Sequence, residues 1–173
     1  EDNLVIISPH LRSLQEEISS HFITWYQENY KRNVNIKWLY QGGTDDLKFI
    51  LTRFQQSPKR ASSGIDLLWG GGELPHLELE KQKILQSYKL PTAIKKNNPS
   101  QIANVKIYNQ NENWHASALT SFGLFFNKRV LQLLKIKEPK TWEDLAHESF
   151  FEQISTADLR HSSSNVTMSL VIL

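Results

Sequence analysis

The 173-residue sequence predicts an α/β fold in which a mostly parallel sheet is flanked by helices. Short apolar runs at residues 4–8, 33–41 and 65–69 each precede a segment with helical spacing of apolar residues. This β-α-β-α-β-α order is typical of an open parallel sheet with helices on its faces. Hydrophobic residues make up 39% of the chain, which is enough for a core.

The first strand is predicted from the β-branched run "LVIIS" (4–8). Ser13 and Glu16 have the spacing of a capping box, so a helix is expected to begin there and to continue to about Tyr30. Its apolar face is predicted from residues at helical spacing: Leu14, Ile18, Phe22 and Trp25.

The second strand is predicted over "NVNIKWLYQ" (33–41), and "GGT" (42–44) ends it. Thr44 can cap the second helix, with Asp45 and Asp46 in the first turn, where carboxylates favour the helix dipole. The buried face of this helix is predicted from Leu47, Ile50, Leu51 and Phe54.

The third strand, "IDLLW" (65–69), is followed by Gly70, Gly71 and Gly72. Consecutive glycines at a strand end indicate that another group approaches the main chain closely. A helix is expected over residues 73–85, since Pro75 is tolerated in a first turn. In such sheets, ligands bind at the carboxyl ends of the strands, which predicts a site at loops 8–10, 42–44 and 70–72.

The rest of the chain has weaker patterns. Residues 86–113 are predicted as a surface loop and residues 114–126 as an extended run. Asn127 is expected to start a helix, Thr141 to cap a short helix, and residues 153–158 to form a strand before a polar loop and a last helix. The chain ends within an apolar run without a polar tail, which predicts a fragment or a shortened reading frame.

Composition excludes several classes of protein. The absence of cysteine excludes disulfides, thiolate nucleophiles and cysteine-ligated zinc. The net charge of +2 comes from interspersed residues and does not indicate a nucleic-acid partner. No apolar run reaches the roughly 20 residues of a membrane helix. The chain starts at Glu1 rather than Met, which is consistent with removal of a signal peptide and with a periplasmic or extracellular location.

Six segments in order carry a family resemblance: "LVIISPH", "WLYQGGTDDLKFI", "IDLLWGGG", "ALTSFGLFFNKRVL", "PKTWEDLA" and "ISTADLRHSSSN". With them the chain resembles the N-terminal half of a type II periplasmic solute-binding protein of a bacterial ABC importer. The resemblance is to the branch that binds ferric ions or phosphorylated solutes. It implies a periplasmic-binding-protein-like lobe one over residues 1–121, then the crossover and the incomplete start of a second α/β lobe over residues 122–173.

The resemblance also implies a solute held between two lobes. "GGT" and "SSSN" (162–165) each precede a helix, whose first N–H groups could together hold an anion. The candidate ligand-binding residues are Ser8, His10, Gly43, Thr44, Gly71, Gly72, Thr120, Ser121, Ser163 and Ser164. The alternative is that Thr44 and Ser164 are only helix caps and the glycines only turns.

His10 also carries a metal hypothesis, because it stands where ferric-ion binders of the family have a histidine ligand. No other cofactor is expected. His76 and His115 are further candidates for the cleft mouth. Trp69 and Trp114 are candidates for stacking on a ligand ring, whereas Trp38 and Trp142 are expected in the core.

The predicted function is solute capture for an inner-membrane ABC permease, with no covalent chemistry. An enzyme with a phosphate-cradling loop is the alternative, although neither a Walker motif nor a G-x-G-x-x-G fingerprint is present. A truncated remnant lobe is another, in which unpaired sheet edges favour a strand-exchanged dimer.

Overall fold

The computed structural model of the protein describes residues 1–40, 44–58 and 62–172. Its helices are α1 (Arg12–Tyr30), α2 (Thr44–Gln56), α3 (Glu73–Lys81), α4 (Thr92–Asn97), α5 (Lys128–Leu134) and α6 (Ser163–Ile172). Its strands are β1 (Asp2–Ile7), β2 (Val34–Leu39), β3 (Leu67–Leu68), β4 (Gln101–Ile102) and β5 (Val105–Lys106). Two 3₁₀ turns cover Glu143–Ala146 and Glu148–Phe150. Within the described ranges no helix is long and apolar enough to span a bilayer.

The first three strands form one parallel sheet, as predicted, and their order in it is β2-β1-β3. The register of β1 on β2 runs from Asp2 opposite Val34 to Ile7 opposite Leu39. β3 pairs with β1 through Leu67 and Leu68. Because the strands are parallel, their carboxyl ends and the segments that follow them lie at the same rim of the sheet.

The core of this α/β unit lies between the sheet, α2 and α3. Ile7, Ile50 and Leu79 form the buried cluster. Leu47 and Leu51 pack against it, so the predicted buried face of α2 is confirmed for these residues. Burial of this apolar surface is the main force that holds α2 and α3 against the sheet.

The predicted start of α1 was wrong, and of its predicted apolar face only Phe22 is half-buried. The helix begins at Arg12, its N-cap Leu11 makes no side-chain cap bond, and Ser13 lies inside it. Glu16 pairs with Arg12 at 2.7 Å instead of capping. Leu14, Ile18 and Trp25 are exposed, whereas half-buried Ser19 accepts a hydrogen bond from Trp38 Nε1. This hydrogen bond joins α1 to β2, while much of the predicted apolar face remains exposed.

The predicted surface loop over residues 86–113 contains structure. It includes α4 and the antiparallel hairpin of β4 and β5, whose turn places Ala103 and Asn104 at φ 45° and 66°. α3 ends at Lys81 rather than near residue 85, because Lys83 adopts φ 57°, which no helix continues.

The described residues 117–172 contain helices but no strand. Asn127 caps α5 by accepting the main-chain N–H groups of Arg129 and Val130, as predicted. The predicted cap Thr141 was wrong, since the 3₁₀ turn follows Trp142. The predicted strand at 153–158 was also wrong, because the segment has no strand partner in the part of the chain that is described. A second α/β lobe and the boundary at residue 121 stay predictions.

Candidate functional site

The turn after β1 is fixed by Ser8. Its side chain is fully buried, and Oγ accepts a hydrogen bond from the His10 main-chain N–H at 3.2 Å. Its own N–H continues the sheet to Leu39. The hydroxyl predicted to contact a ligand therefore shapes the turn that presents His10.

Gly70, Gly71 and Gly72 have φ values of 90°, 81° and 78°. Three successive positive values are open to glycine at little cost, which explains the sequence at this position. A Cβ on Gly70 would lie 2.7 Å from His10 Nε2, so the group that approaches this main chain is the His10 ring. A Cβ on Gly72 would meet nothing within 4 Å, so this glycine faces open space at the start of α3.

Aromatic rings run along the rim. The His10 ring is half-buried, and its centroid lies 4.6 Å from that of Trp69 in an edge-on arrangement. The ring centroids of Trp69 and Trp38 are 5.7 Å apart. Trp38, expected in the core, is half-buried here. Among the described residues no group of three or more histidines and carboxylates could hold a metal ion, so His10 has no such companions there.

The loop after β2 is represented among the described residues by the start of the helix that follows it, α2. Gly43 and the Thr44 side chain lie outside the described residues, but α2 begins at Thr44. In its first turn, a hydrogen bond and charge from Lys48 lower the pKa of the Asp45 carboxyl, and His161 adds to this. His161 Nδ1 lies 3.8 Å from Asp45 Oδ2. This contact brings the start of α6 close to the start of α2.

The cap of α6 is Ser162, which sequence reasoning missed. Ser162 Oγ accepts the Asn165 N–H at 3.2 Å. The sequence signal for this cap was a serine immediately before the helix. The Ser163 side chain lies outside the described residues, and Ser164 is exposed. Asn165 is buried and accepts a hydrogen bond from Thr156 at 2.8 Å, which ties the preceding loop to α6.

A cavity of about 340 Å³ lies beside β3, between the glycine segment and residues 114–119. His76 forms part of its lining and holds the glycine segment, with Nδ1 2.8 Å from the Gly72 carbonyl oxygen. Ser117, which sequence reasoning also missed, accepts Trp69 Nε1–H at 3.2 Å across the cavity rim. Thr120 and Ser121 are exposed and lie outside the lining.

The far wall of the cavity is fixed by Glu80 on α3. Its carboxylate accepts Trp114 Nε1–H at 3.0 Å and the Asn109 amide at 2.5 Å. Trp114 is thereby buried, with part of its ring in the cavity lining. No sequence pattern pointed to Glu80, because its partners lie about 30 residues away along the chain.

His115 follows in the same wall. Its Nε2 is buried without a hydrogen-bond partner among the described residues. Burial lowers the pKa of the imidazole, the Glu112 charge opposes this, and the Lys95 charge adds to it. The lining also carries one residue of each charge, Glu73 and Lys106.

The structure therefore brings together His10, Gly71, Gly72, His76 and His115 around the end of β3. It places the start of α6 near α2, with Ser164 exposed there. Thr120 and Ser121 stand apart from the cavity. The rim combines main-chain groups, imidazoles and indoles, which are groups found in small-molecule sites.

Comparison with known proteins gives one family. The family described as bacterial extracellular solute-binding protein matches residues 76–173, which is more than half of the chain. No curated protein and no solved structure matches the sequence.

Proposed function

Because the chain belongs to the bacterial extracellular solute-binding protein family, we propose that it captures a small anionic or phosphorylated solute and delivers it to an inner-membrane ABC permease. Solute capture takes place in the periplasm or outside the cell, after removal of a signal peptide. Binding is reversible, so no catalytic residues are needed.

The observation that carries this proposal is the glycine segment at the carboxyl end of β3. Positive φ at Gly71 and Gly72 directs the chain into α3, whose first N–H groups lack intrahelical partners. Such groups favour anions, as does the positive end of the helix dipole. The 3.8 Å approach of His161 to Asp45 brings the starts of α2 and α6 together, and we propose that these two helix starts also contribute N–H groups to the solute.

A ferric or other metal ion is the alternative ligand. The position of His10 at the rim, with a half-buried ring beside Gly70, favours it. A metal would need further ligands from outside the described ranges or from the solute itself, as in a chelate such as ferric citrate.

Among the described residues β3 has a strand partner on one side only, and this unpaired edge is the basis of the proposed strand-exchanged dimer. β3 pairs with β1 on one side, and the cavity adjoins it on the other. An unpaired edge offers main-chain donors and acceptors to a second chain. Size-exclusion chromatography with light scattering decides this point, because a monomer at all concentrations contradicts the dimer.

Calorimetric titration of the full chain tests the ligand. We expect saturable heat with inorganic phosphate or a phosphate ester, no turnover of the ester, and a higher melting midpoint by mass action. Gly72→Ala should weaken binding at least about tenfold, since an L-residue strains this main chain. Gly123→Ala, at a glycine with open space and no positive φ, is the control. Binding of ferric citrate alone, lost in His10→Ala, would support the metal alternative instead.

A further inference from the structure

The cavity beside β3 differs in chemistry from the glycine rim next to it. Its lining is dominated by aliphatic and indole side chains, among them Leu67, Trp69, Val105, Trp114 and Leu119. A site for inorganic phosphate alone would have little use for such a wall, because apolar surface gains nothing from contact with a hydrated ion.

We infer that this cavity receives an aromatic ring of the solute, so that the solute is an aromatic compound whose charged group lies at the glycine rim. The inference rests on the proposed function and adds the chemical class of the solute. A volume of about 340 Å³ is at the lower end of the range for small-molecule pockets and accommodates a single ring system.

Two indoles support a planar partner. Trp69 is half-buried and is held by Ser117 through Nε1, and Trp114 is held by Glu80 in the same way. Each indole therefore has a fixed orientation before a ligand arrives, which lowers the entropic cost of binding. Aromatic pairs also gain free energy beyond the area they bury.

His115 is a polar residue in the lining of the cavity. Its Nε2 is buried and has no hydrogen-bond partner among the described residues, although most buried polar atoms in proteins have one. Lys95 and Glu112 are the charged groups that act on this imidazole.

Matched pairs of probes test the ring. Phenyl phosphate and benzoate are titrated against inorganic phosphate and acetate, with tryptophan fluorescence as the readout. We expect at least one ring probe to bind on the order of tenfold more tightly than its ringless partner, from the apolar area it buries. If no ring probe exceeds its partner, the inference is wrong, while saturable phosphate binding would leave the proposed function intact.

Two variants place the ring. Ala118→Phe fills the cavity from an exposed lining position, whereas Ala93→Phe makes the same change on the exposed surface of α4. The tighter binding of the ring probe should disappear in Ala118→Phe and persist in Ala93→Phe. Trp69→Phe should remove part of the fluorescence response, and Trp25→Phe, on the exposed side of α1, should not. A ring advantage that survives Ala118→Phe would place the ring elsewhere and overturn the inference.

Discussion

The segment over residues 2–85 and the segment over residues 117–172 contain similar local sequence patterns but organise them differently. In the first, three strands pair in parallel, and Ile7 and Leu79 are almost fully buried. In the second, Leu131 and Phe150 are buried, yet Phe125, Leu133 and Phe151 are exposed and a cavity of about 730 Å³ adjoins α5 and α6. Strands require a partner to satisfy their main chain, whereas a capped helix forms with local bonds alone.

The largest expected effect on the free energy of unfolding comes from shortening a core side chain of the first segment. Leu79→Ala should lower the free energy of unfolding by about 3 kcal/mol, from lost burial and the cavity left behind. Leu133→Ala makes the same change at a side chain that is 74% exposed, and it should cost less than about 0.5 kcal/mol. Urea denaturation followed by circular dichroism measures both. Equal losses would show that the two segments are packed alike.

The glycine segment gives the second effect. Gly70→Ala combines a positive φ with a Cβ only 2.7 Å from His10 Nε2, so we expect a loss of about 2 kcal/mol in the free energy of unfolding. His10→Ala removes the ring, and the double variant should recover the part of the loss that comes from the clash. Gly123→Ala in the second segment is the control, since nothing lies near its added Cβ. Additive losses in the double variant would contradict the contact.

Helix caps should give a smaller effect. Asn127→Ala removes the cap of α5 and should cost about 1 kcal/mol. Ser13 has a good capping pattern in sequence but lies inside α1, so Ser13→Ala should leave stability unchanged or slightly higher. The free energies of unfolding of the two variants are compared by urea titration. A larger loss for Ser13→Ala would show that the first turn of α1 is capped after all.

The sequence allowed the parallel sheet and its rim to be predicted because both follow from short-range periodicity. The runs at 4–8 and 65–69 are mostly apolar, and α2, which lies between them in the chain, has a clear buried face that includes Ile50. The strand expected at 153–158 failed for a non-local reason, since local pattern does not report whether a partner is present.

The candidate site was predicted less completely for the same reason. His10, Gly71 and Gly72 could be placed at the rim, because loops after parallel strands share an edge. Ser117 and Glu80 could not, because each acts on a tryptophan that only the folded chain brings near. Ser8 has the right residue type at the right loop, but whether its hydroxyl meets solvent or the turn is set by packing.

The smallest expected effect is a pH dependence of the free energy of unfolding, which arises from groups in and near the wall of the cavity beside β3. Burial first of all lowers the pKa of His115, so the unfolded chain takes up this proton at a higher pH than the folded chain does. Its contribution to stability is complete above the ordinary value of 6.5 and is lost as the pH falls through the lower folded pKa. His115→Phe should flatten this part of the stability profile.

The hydrogen bond from Lys95 chiefly lowers the pKa of Glu112, and the Leu90 N–H also contributes. That contribution is complete above the ordinary value of 4.5 and is lost as the pH falls through the folded pKa, so it appears at lower pH than the effect of His115. Glu112→Gln should therefore flatten the acidic part. Since the Glu112 charge raises the pKa of His115, this variant should also extend the upper step to lower pH without removing it. An upper step that persists unchanged in His115→Phe would assign it to another group and would remove the evidence that burial lowers the pKa of this imidazole.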